Sequence, residues 1–302
     1  MPLSDQPLVS VIIASWNAGE TIAGCLESVL NQQTDAGFEV ILADSSTDRT
    51  PDLVRERFPA VRLLHFPERK FCGSARNAGF AAARGEIIAF LDADCRARPN
   101  WIEEIVAAHR DPRSAVQGAV ENGAPESLVS WAYYFSEFSL WLPGGRPRPI
   151  RELVGCCLSV KRQALERHGL FLEGSYCSDT AFQWRLEQVG ERPLFCPDIR
   201  VAHLTTYDLA GFLKHEVRHG ADFARVRVRE QRLPALRRAL LAVQMPFLPL
   251  LLFLRICRRV VRSDADTTRF VQVSPLVLAG ATAWSLGEFT GYLHPKTRLA
   301  GR

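Results

Sequence analysis

The sequence predicts an α/β fold: a Rossmann-like, mostly parallel sheet with helices on both faces. Three observations carry that expectation. Apolar strands and helical segments alternate four times within roughly 110 residues. The connections between them are only a few residues long, which suits parallel strands joined by crossover helices. The run Ile87-Ile88-Ala89-Phe90-Leu91 is apolar throughout, the mark of a strand covered on both faces.

Residues 9–16 (Val-Ser-Val-Ile-Ile-Ala-Ser-Trp) read as the first strand, ending in Asn17-Ala18-Gly19-Glu20. Asn17 with Glu20 three positions later makes a helix start, and Ile22, Cys25, Leu26, Val29 and Leu30 then recur at helical spacing. A second strand, Phe38 to Ala43, runs into Asp44-Ser45-Ser46-Thr47-Asp48. Thr50-Pro51 opens the next helix, where a proline loses no needed hydrogen bond. Residues 61–66 form a third strand, 73–84 a helix of small residues, and 87–92 the fourth strand. Pro99-Asn100 starts a helix reaching His109. Beyond about residue 114 the pattern loosens. Residues 128–142 read as an aromatic-rich helix, 144–149 as a flexible basic loop, 153–160 as a strand and 161–168 as a helix. Ser178-Asp179 then leads a helix carrying Phe182, Leu186 and Val189.

A chain of 302 residues accommodates one large α/β domain or two smaller ones. With 47% hydrophobic and 23% charged residues it is a folding chain, which excludes a disordered one. The net charge of +4 is mild, and nucleic acid is not an expected partner. Only Lys70, Lys161, Lys214 and Lys296 among the 37 basic residues are lysines. Arginine is the better bidentate partner for phosphate, so the bias fits anionic ligands or lipid head groups, although a GC-rich genome gives the same bias. The eight cysteines show no Cys-x-x-Cys spacing and read as reduced thiols in a cytosolic compartment. Met1-Pro-Leu-Ser-Asp5 leads straight to a strand, with no signal peptide expected.

The chemistry centres on Asp92 and Asp94, two carboxylates spaced i, i+2 where the fourth strand ends. Charges at the mouth of a buried strand need a cation, a partner or water. Ligands of such sheets lie beyond the carboxyl ends of the strands, where Trp16-Asn17, Asp44 and Asp92/Asp94 all fall. An isolated Asp-x-Asp is more often a solvated turn; convergence of three stations on one rim argues for a divalent ion and its phosphate ligand.

These motifs resemble a known family. Val9-Ser-Val-Ile-Ile-Ala-Ser-Trp-Asn17, Asp44-Ser-Ser-Thr-Asp48, Ala75-Arg-Asn-Ala-Gly79 with Gly85-Glu86, and Phe90-Leu-Asp-Ala-Asp94 are similar in order and spacing to the family 2 glycosyltransferases. The likeness covers roughly residues 8–223, with Ala14-Ser15-Trp16-Asn17 for the commoner Pro-Thr-Tyr-Asn and Ala43 for one acid of the second motif. It implies a nucleotide-sugar transferase domain, residues 1–223, followed by a hydrophobic and basic helical region, 224–302. It implies nucleotide-sugar binding by Ser15, Trp16, Asn17, Asp44, Arg76, Asp92, Ala93, Arg185 and Arg218. Asp92 and Asp94, with His203, would hold Mg²⁺ or Mn²⁺ against a departing diphosphate. Trp16 would lie against a base and Asp44 accept its N–H, which suits uracil; Arg76 would contact diphosphate or hold the acid pair. Asp179 stands where the family places its base, although Ser178 replaces the usual preceding Glu and Asp179 equally suits a helix cap. In His215-Glu-Val-Arg-His219 only Arg218 survives from the Gln-x-x-Arg-Trp element of processive relatives, so a single transfer per event is expected.

The last third changes character. Ala239–Leu254 is sixteen residues without a charge, flanked by arginines, and Phe270–Gly287 is a second uncharged stretch with Gly287-x-x-x-Gly291 beyond it. Gln244, Pro246 and Pro249 interrupt the first, and both sit at the lower edge of a spanning length. They form a membrane hairpin, lie in the interface, or pack as soluble helices; two arginine-flanked apolar segments favour membrane attachment.

The expected function is an inverting, non-processive glycosyltransferase using a UDP-sugar and a lipid-linked or polysaccharide acceptor at the cytoplasmic face of the membrane. A sugar nucleotidyltransferase is the second possibility, disfavoured because Ser15-Trp-Asn-Ala-Gly19 lacks basic residues for a triphosphate. A non-catalytic nucleotide-binding membrane scaffold is the third.

Overall fold

The computed structural model describes residues 7–204 and 207–295; the N-terminal residues read as lacking a signal peptide, and Lys296, lie outside them. The chain divides into two compact units. The first takes the chain to Gly123 with Gly145–Glu173 and Ser178–Leu204; the second takes Ala124–Gly144, Gly174–Cys177 and the chain after Leu204.

The first unit opens with β1 (Val9–Ser15), α1 (Ile22–Leu30), β2 (Phe38–Asp44), α2 (Thr50–Arg57), β3 (Arg62–His65), α3 (Cys72–Ala82) and β4 (Ile87–Asp92). β5 (Cys95–Ala97), α4 (Trp101–Ala108) and β6 (Ala115–Asn122) follow. In chain order, α5 (Leu128–Phe138) belongs to the second unit, and β7 (Arg148–Pro149), β8 (Cys157–Lys161), α6 (Arg162–His168), α7 (Ser178–Gln188) and β9 (Leu194–His203) return to the first.

The sheet order is β3-β2-β1-β4-β8-β6-β9-β5, with β7 beside β9. β1, β2, β3 and β4 are mutually parallel, as is β6 with β9. β8 runs antiparallel between β4 and β6, and β5 and β7 run antiparallel to β9. The class is the expected one, with the antiparallel pairings confined to the later strands. Every residue of β2 is buried, as are all of β1 and β4 except Ala14 and Asp92, so the apolar runs are explained by helices on both faces. A Cβ on Gly79 would strike Ile12, so this glycine lets α3 lie hard against β1.

Three local expectations are revised. The loop at 144–149 gives two residues, Arg148 and Pro149, to the sheet. The sequence pattern did not foresee β5 and β6. The strand expected over 153–160 begins only at Cys157, because the preceding N–H groups are used by side chains: Leu153 N–H donates to Gln183 Oε1 (3.1 Å), Val154 N–H to Gln117 Oε1 (2.9 Å) and Gly155 N–H to Asp179 Oδ2 (2.8 Å).

The second unit contains α5, α8 (Leu209–Glu230), α9 (Ala235–Val243), a 3₁₀ turn (Met245–Phe247), α10 (Leu248–Val261) and α11 (Thr267–Leu293). The boundary expected at 223/224 falls inside α8, one continuous 22-residue helix, so the units part earlier. Gly220, Gly287 and Gly291 let α8 and α11 meet backbone to backbone: a Cβ on any of them would collide with a main-chain atom of the partner helix. Pro246 and Pro249 break the first apolar segment into α9, the turn and α10, as expected. By length and composition, Ala235–Val261 and Thr267–Leu293 are each sufficient to cross a membrane. Leu236, Val243, Phe247, Leu250 and Leu254 on the first are exposed.

Candidate active site

The rim follows from strand register. In the parallel ladders Ser15 is level with Asp44, and Ala14 with Asp92, so β1, β2 and β4 end together. Asn17 turns the chain there with φ +50°, a conformation asparagine tolerates better than most residues. Its Oδ1 accepts from Thr47 N–H (2.9 Å) and its own N–H donates to Ser46 Oγ (2.7 Å), lacing the β1 and β2 loops together. Trp16 stands 44% exposed with the Arg69 guanidinium 3.6 Å over its ring. Ser15 is buried, and its Oγ has no hydrogen-bond partner among the described residues.

Asp44, expected to accept the N–H of a base, is held inward. It is fully buried; Oδ1 accepts from Ser46 Oγ (2.5 Å), and Oδ2 lies 2.8 Å from His65 Nδ1 and 3.2 Å from Ser46 N. In this conformation it shapes the loop and presents no exposed oxygen to a base. His65 had not been singled out, because a histidine at the end of a short strand carries no pattern of its own.

Arg76 links the acid pair to Asp179. On α3, only 3% exposed, it donates from Nη2 to Asp92 Oδ1 at 2.7 Å. Burial works against its charge, but Asp92 and then, more weakly, Cys72 and Asp179 outweigh that and hold the guanidinium above its usual pKa. Gly155 lies against Arg76, whose Nη atoms occupy the space a Cβ would need. The same residue's N–H holds Asp179, whose other oxygen accepts from Thr180 N–H at 2.9 Å. Asp179 therefore sits in the first turn of α7, oriented by two backbone donors and half-exposed. Arg76 Nε has no hydrogen-bond partner among the described residues. With Ser15 Oγ it makes a second unmet donor at this rim, the kind of group a ligand satisfies.

Asp94 lies two residues beyond Asp92, its side chain 42% exposed, with Oδ2 3.6 Å from His203 Nε2. Partial desolvation and then the charge of Asp92 raise its pKa, while His203 opposes them; crowded carboxylates of this kind gain from a cation. Asp94, Cys95 and His203 bring potential ligand atoms within 4.8 Å of one another. Burial pushes the Cys95 thiol far above its ordinary range, and a soft sulfur suits a hard, oxygen-seeking cation poorly. The remaining set, carboxylate oxygens and an imidazole, fits a divalent ion such as Mg²⁺ or Mn²⁺.

Arg185, on α7, spends its guanidinium on carbonyls at the end of α6 and beyond: Nη1 to His168 O (3.0 Å) and Nη2 to Leu170 O (2.5 Å). That is helix capping. Arg218 is exposed on α8 in the second unit. Ala93, between the acids, is buried.

A family model described as Glycosyl transferase family 2 matches residues 10–169. The succinoglycan biosynthesis protein ExoO of Rhizobium meliloti (strain 1021) is 38% identical over 117 residues, which are 38% of this chain and 33% of that protein. The matched stretch thus spans about a third of the length of that curated relative. Two solved structures share the fold. Mannosyltransferase PcManGT from Pyrobaculum calidifontis, in complex with GDP-Man and Mn²⁺, aligns with a TM-score of 0.55 at 22% identity, covering 97% of this chain and 76% of that one. GalNAc-T7 with UDP, GalNAc and Mn²⁺ aligns at 0.55 and 21%, covering 76% and 52%. Since the family match takes in over half of the 302 residues, this chain belongs to glycosyl transferase family 2.

Proposed function

We propose that the protein is a metal-dependent, inverting glycosyltransferase that moves a sugar from a UDP-sugar to a hydroxyl of a lipid-linked or polysaccharide acceptor, once per encounter. The observation that carries this reading is the chain Asp92–Arg76–Gly155–Asp179, which fixes a cation-binding acid and a candidate base in one rigid arrangement. A bound Mg²⁺ or Mn²⁺ would supply positive charge to the departing diphosphate. Asp92, Asp94 and His203 are the residues to hold it. Asp179, its oxygens aimed by two N–H donors, takes the proton of the attacking hydroxyl, and direct displacement inverts the sugar carbon. Ser15 Oγ and Arg76 Nε are unmet donors suited to nucleotide or phosphate oxygens. Exposed Trp16 offers a ring face to the base.

The relative named for succinoglycan biosynthesis supports a saccharide acceptor. The neighbours carry GDP-Man in one case and UDP in the other, so the uracil preference rests on the sequence resemblance. The two long apolar segments with their exposed leucines support work at a membrane surface, and its cytoplasmic face is the side the sequence reading favours. The test is nucleoside diphosphate release from a panel of UDP- and GDP-sugars with Mn²⁺, and the anomeric configuration of the product by NMR. Inversion with a UDP-sugar is expected. A retained configuration, or no release with any donor and acceptor, would refute the reading.

A further inference from the structure

The second unit holds a cluster that the transfer chemistry does not use. On α8 the sequence His215-Glu216-Val217-Arg218-His219 places two imidazoles one turn apart on one helix face. Glu137, next to the last residue of α5, meets both: its Oε1 lies 3.2 Å from His219 Nδ1 and 3.8 Å from His215 Nε2. All three ligand atoms fall within 4.8 Å of one another. The ligand–ligand edge of a tetrahedral zinc site with bonds of about 2.1 Å is about 3.4 Å, between the two separations seen here. The 3.8 Å approach is too long for a hydrogen bond but suits two groups sharing an ion.

Two further observations point the same way. Glu216, 2% exposed, faces Glu137 and has a carboxylate oxygen without a hydrogen-bond partner among the described residues. An unmet buried oxygen lying against Glu137 is the kind of group that an ion or its bound water satisfies. The far nitrogen of His215, Nδ1, lies 3.3 Å from the Tyr207 hydroxyl, an outer contact of the kind that fixes the ring of a metal-bound histidine.

We propose that His215, His219 and Glu137 form a second metal site, selective for Zn²⁺ or a similar borderline ion, which ties α5 to α8. Nitrogen donors distinguish it from the oxygen-dominated acids ending β4, and its occupancy does not depend on the transferase reading.

The test uses the full chain carrying Asp94→Asn and His203→Gln, so that zinc at the rim is not counted. After loading with Zn²⁺ and dialysis into metal-free buffer, elemental analysis is expected to find about one zinc per chain. Adding His219→Gln or Glu137→Gln should cut that retention at least tenfold. Cobalt substitution of the parent chain should give the visible absorption of a tetrahedral site, which checks the proposal even where a variant fails to fold. No retained zinc in the parent, equal retention in the variants, or cobalt bound without tetrahedral bands would overturn it in favour of histidine–glutamate ion pairs alone.

Discussion

Two imidazole–carboxylate clusters in this protein are built in opposite ways. Asp94 and His203 stand where β4 and β9 end, the carboxylate 42% exposed and 3.6 Å from the ring. Glu137, His215 and His219 project from helices, with side chains only 14, 17 and 25% exposed. An open, oxygen-rich group at a sheet edge suits an ion that shares its coordination with a substrate's phosphates and leaves with product. An enclosed, nitrogen-rich group suits an ion that stays. The contrast teaches that a histidine beside an acid says little until the rest of the donor set and its access to solvent are known.

The contrast can be broken most severely at the rim. Asp94→Asn should reduce nucleoside diphosphate release about a thousandfold at saturating Mn²⁺ while leaving zinc at the helical cluster unchanged. Activity within tenfold of the parent would detach the acid pair from the chemistry. Asp179→Asn should lower kcat about a hundredfold to a thousandfold with little change in donor KM, because it removes a proton acceptor and not a binding group. A rise in KM alone would make Asp179 a binding residue.

A histidine with no acid beside it gives the baseline for both clusters. His109 is buried, 2.9 Å from Ser159 Oγ, and desolvation, followed by the charge of Lys161, lowers its pKa from 6.5 to about 4. Its folded pKa lies below the unfolded one, so the stability it contributes is fully present above pH 6.5 and is lost as pH falls toward 4. Across that window the unfolded chain binds a proton that the folded chain refuses. The loss should approach about 3 kcal/mol, and His109→Gln should flatten the curve in urea titrations across that range. An unchanged slope in the variant would show that His109 is not what senses the acid.

Arg76→Lys should cost about 1–3 kcal/mol in urea denaturation, a figure held down because Asp92 is a third exposed. The lysine keeps the charge but not the planar fork that reaches Asp92 past Gly155, so donor turnover should fall about tenfold as well. Loss of stability with unchanged turnover would leave Arg76 a packing residue. The smallest effect is expected from Phe247→Ser, a few-fold weaker binding to anionic vesicles with soluble-acceptor turnover unchanged. Unchanged vesicle binding would remove this exposed face from the membrane contact.

The parallel part of the fold was legible because each of β1, β2 and β4 is a buried apolar run that stops at a polar motif, and two-sided burial leaves that signature. The stretch 153–156 misled because its composition is that of a strand while its N–H groups serve Gln183, Gln117 and Asp179, contacts set by residues distant in sequence. Within the site, Asp92 and Asp94 could be named from spacing, and Asp179 only through the family resemblance. The role of Gly155 could not, since it depends on two neighbours reaching it from α3 and α7. The contacts of Arg185 were hidden for the same reason: its sequence position follows the candidate base, but its guanidinium turns back to the carbonyls of His168 and Leu170. Glu137 was hidden inside an aromatic helix, where a lone acid reads as a solvent-facing residue until the histidines opposite it are seen.

The account stands on a cation carried by the acids that close β4, and calorimetric titration of UDP into the purified chain tests it most directly. With Mn²⁺ present, binding should be readily measured; with EDTA, or in the Asp94→Asn variant, the heat should vanish. Equal affinity in EDTA and in Mn²⁺ would contradict the central claim.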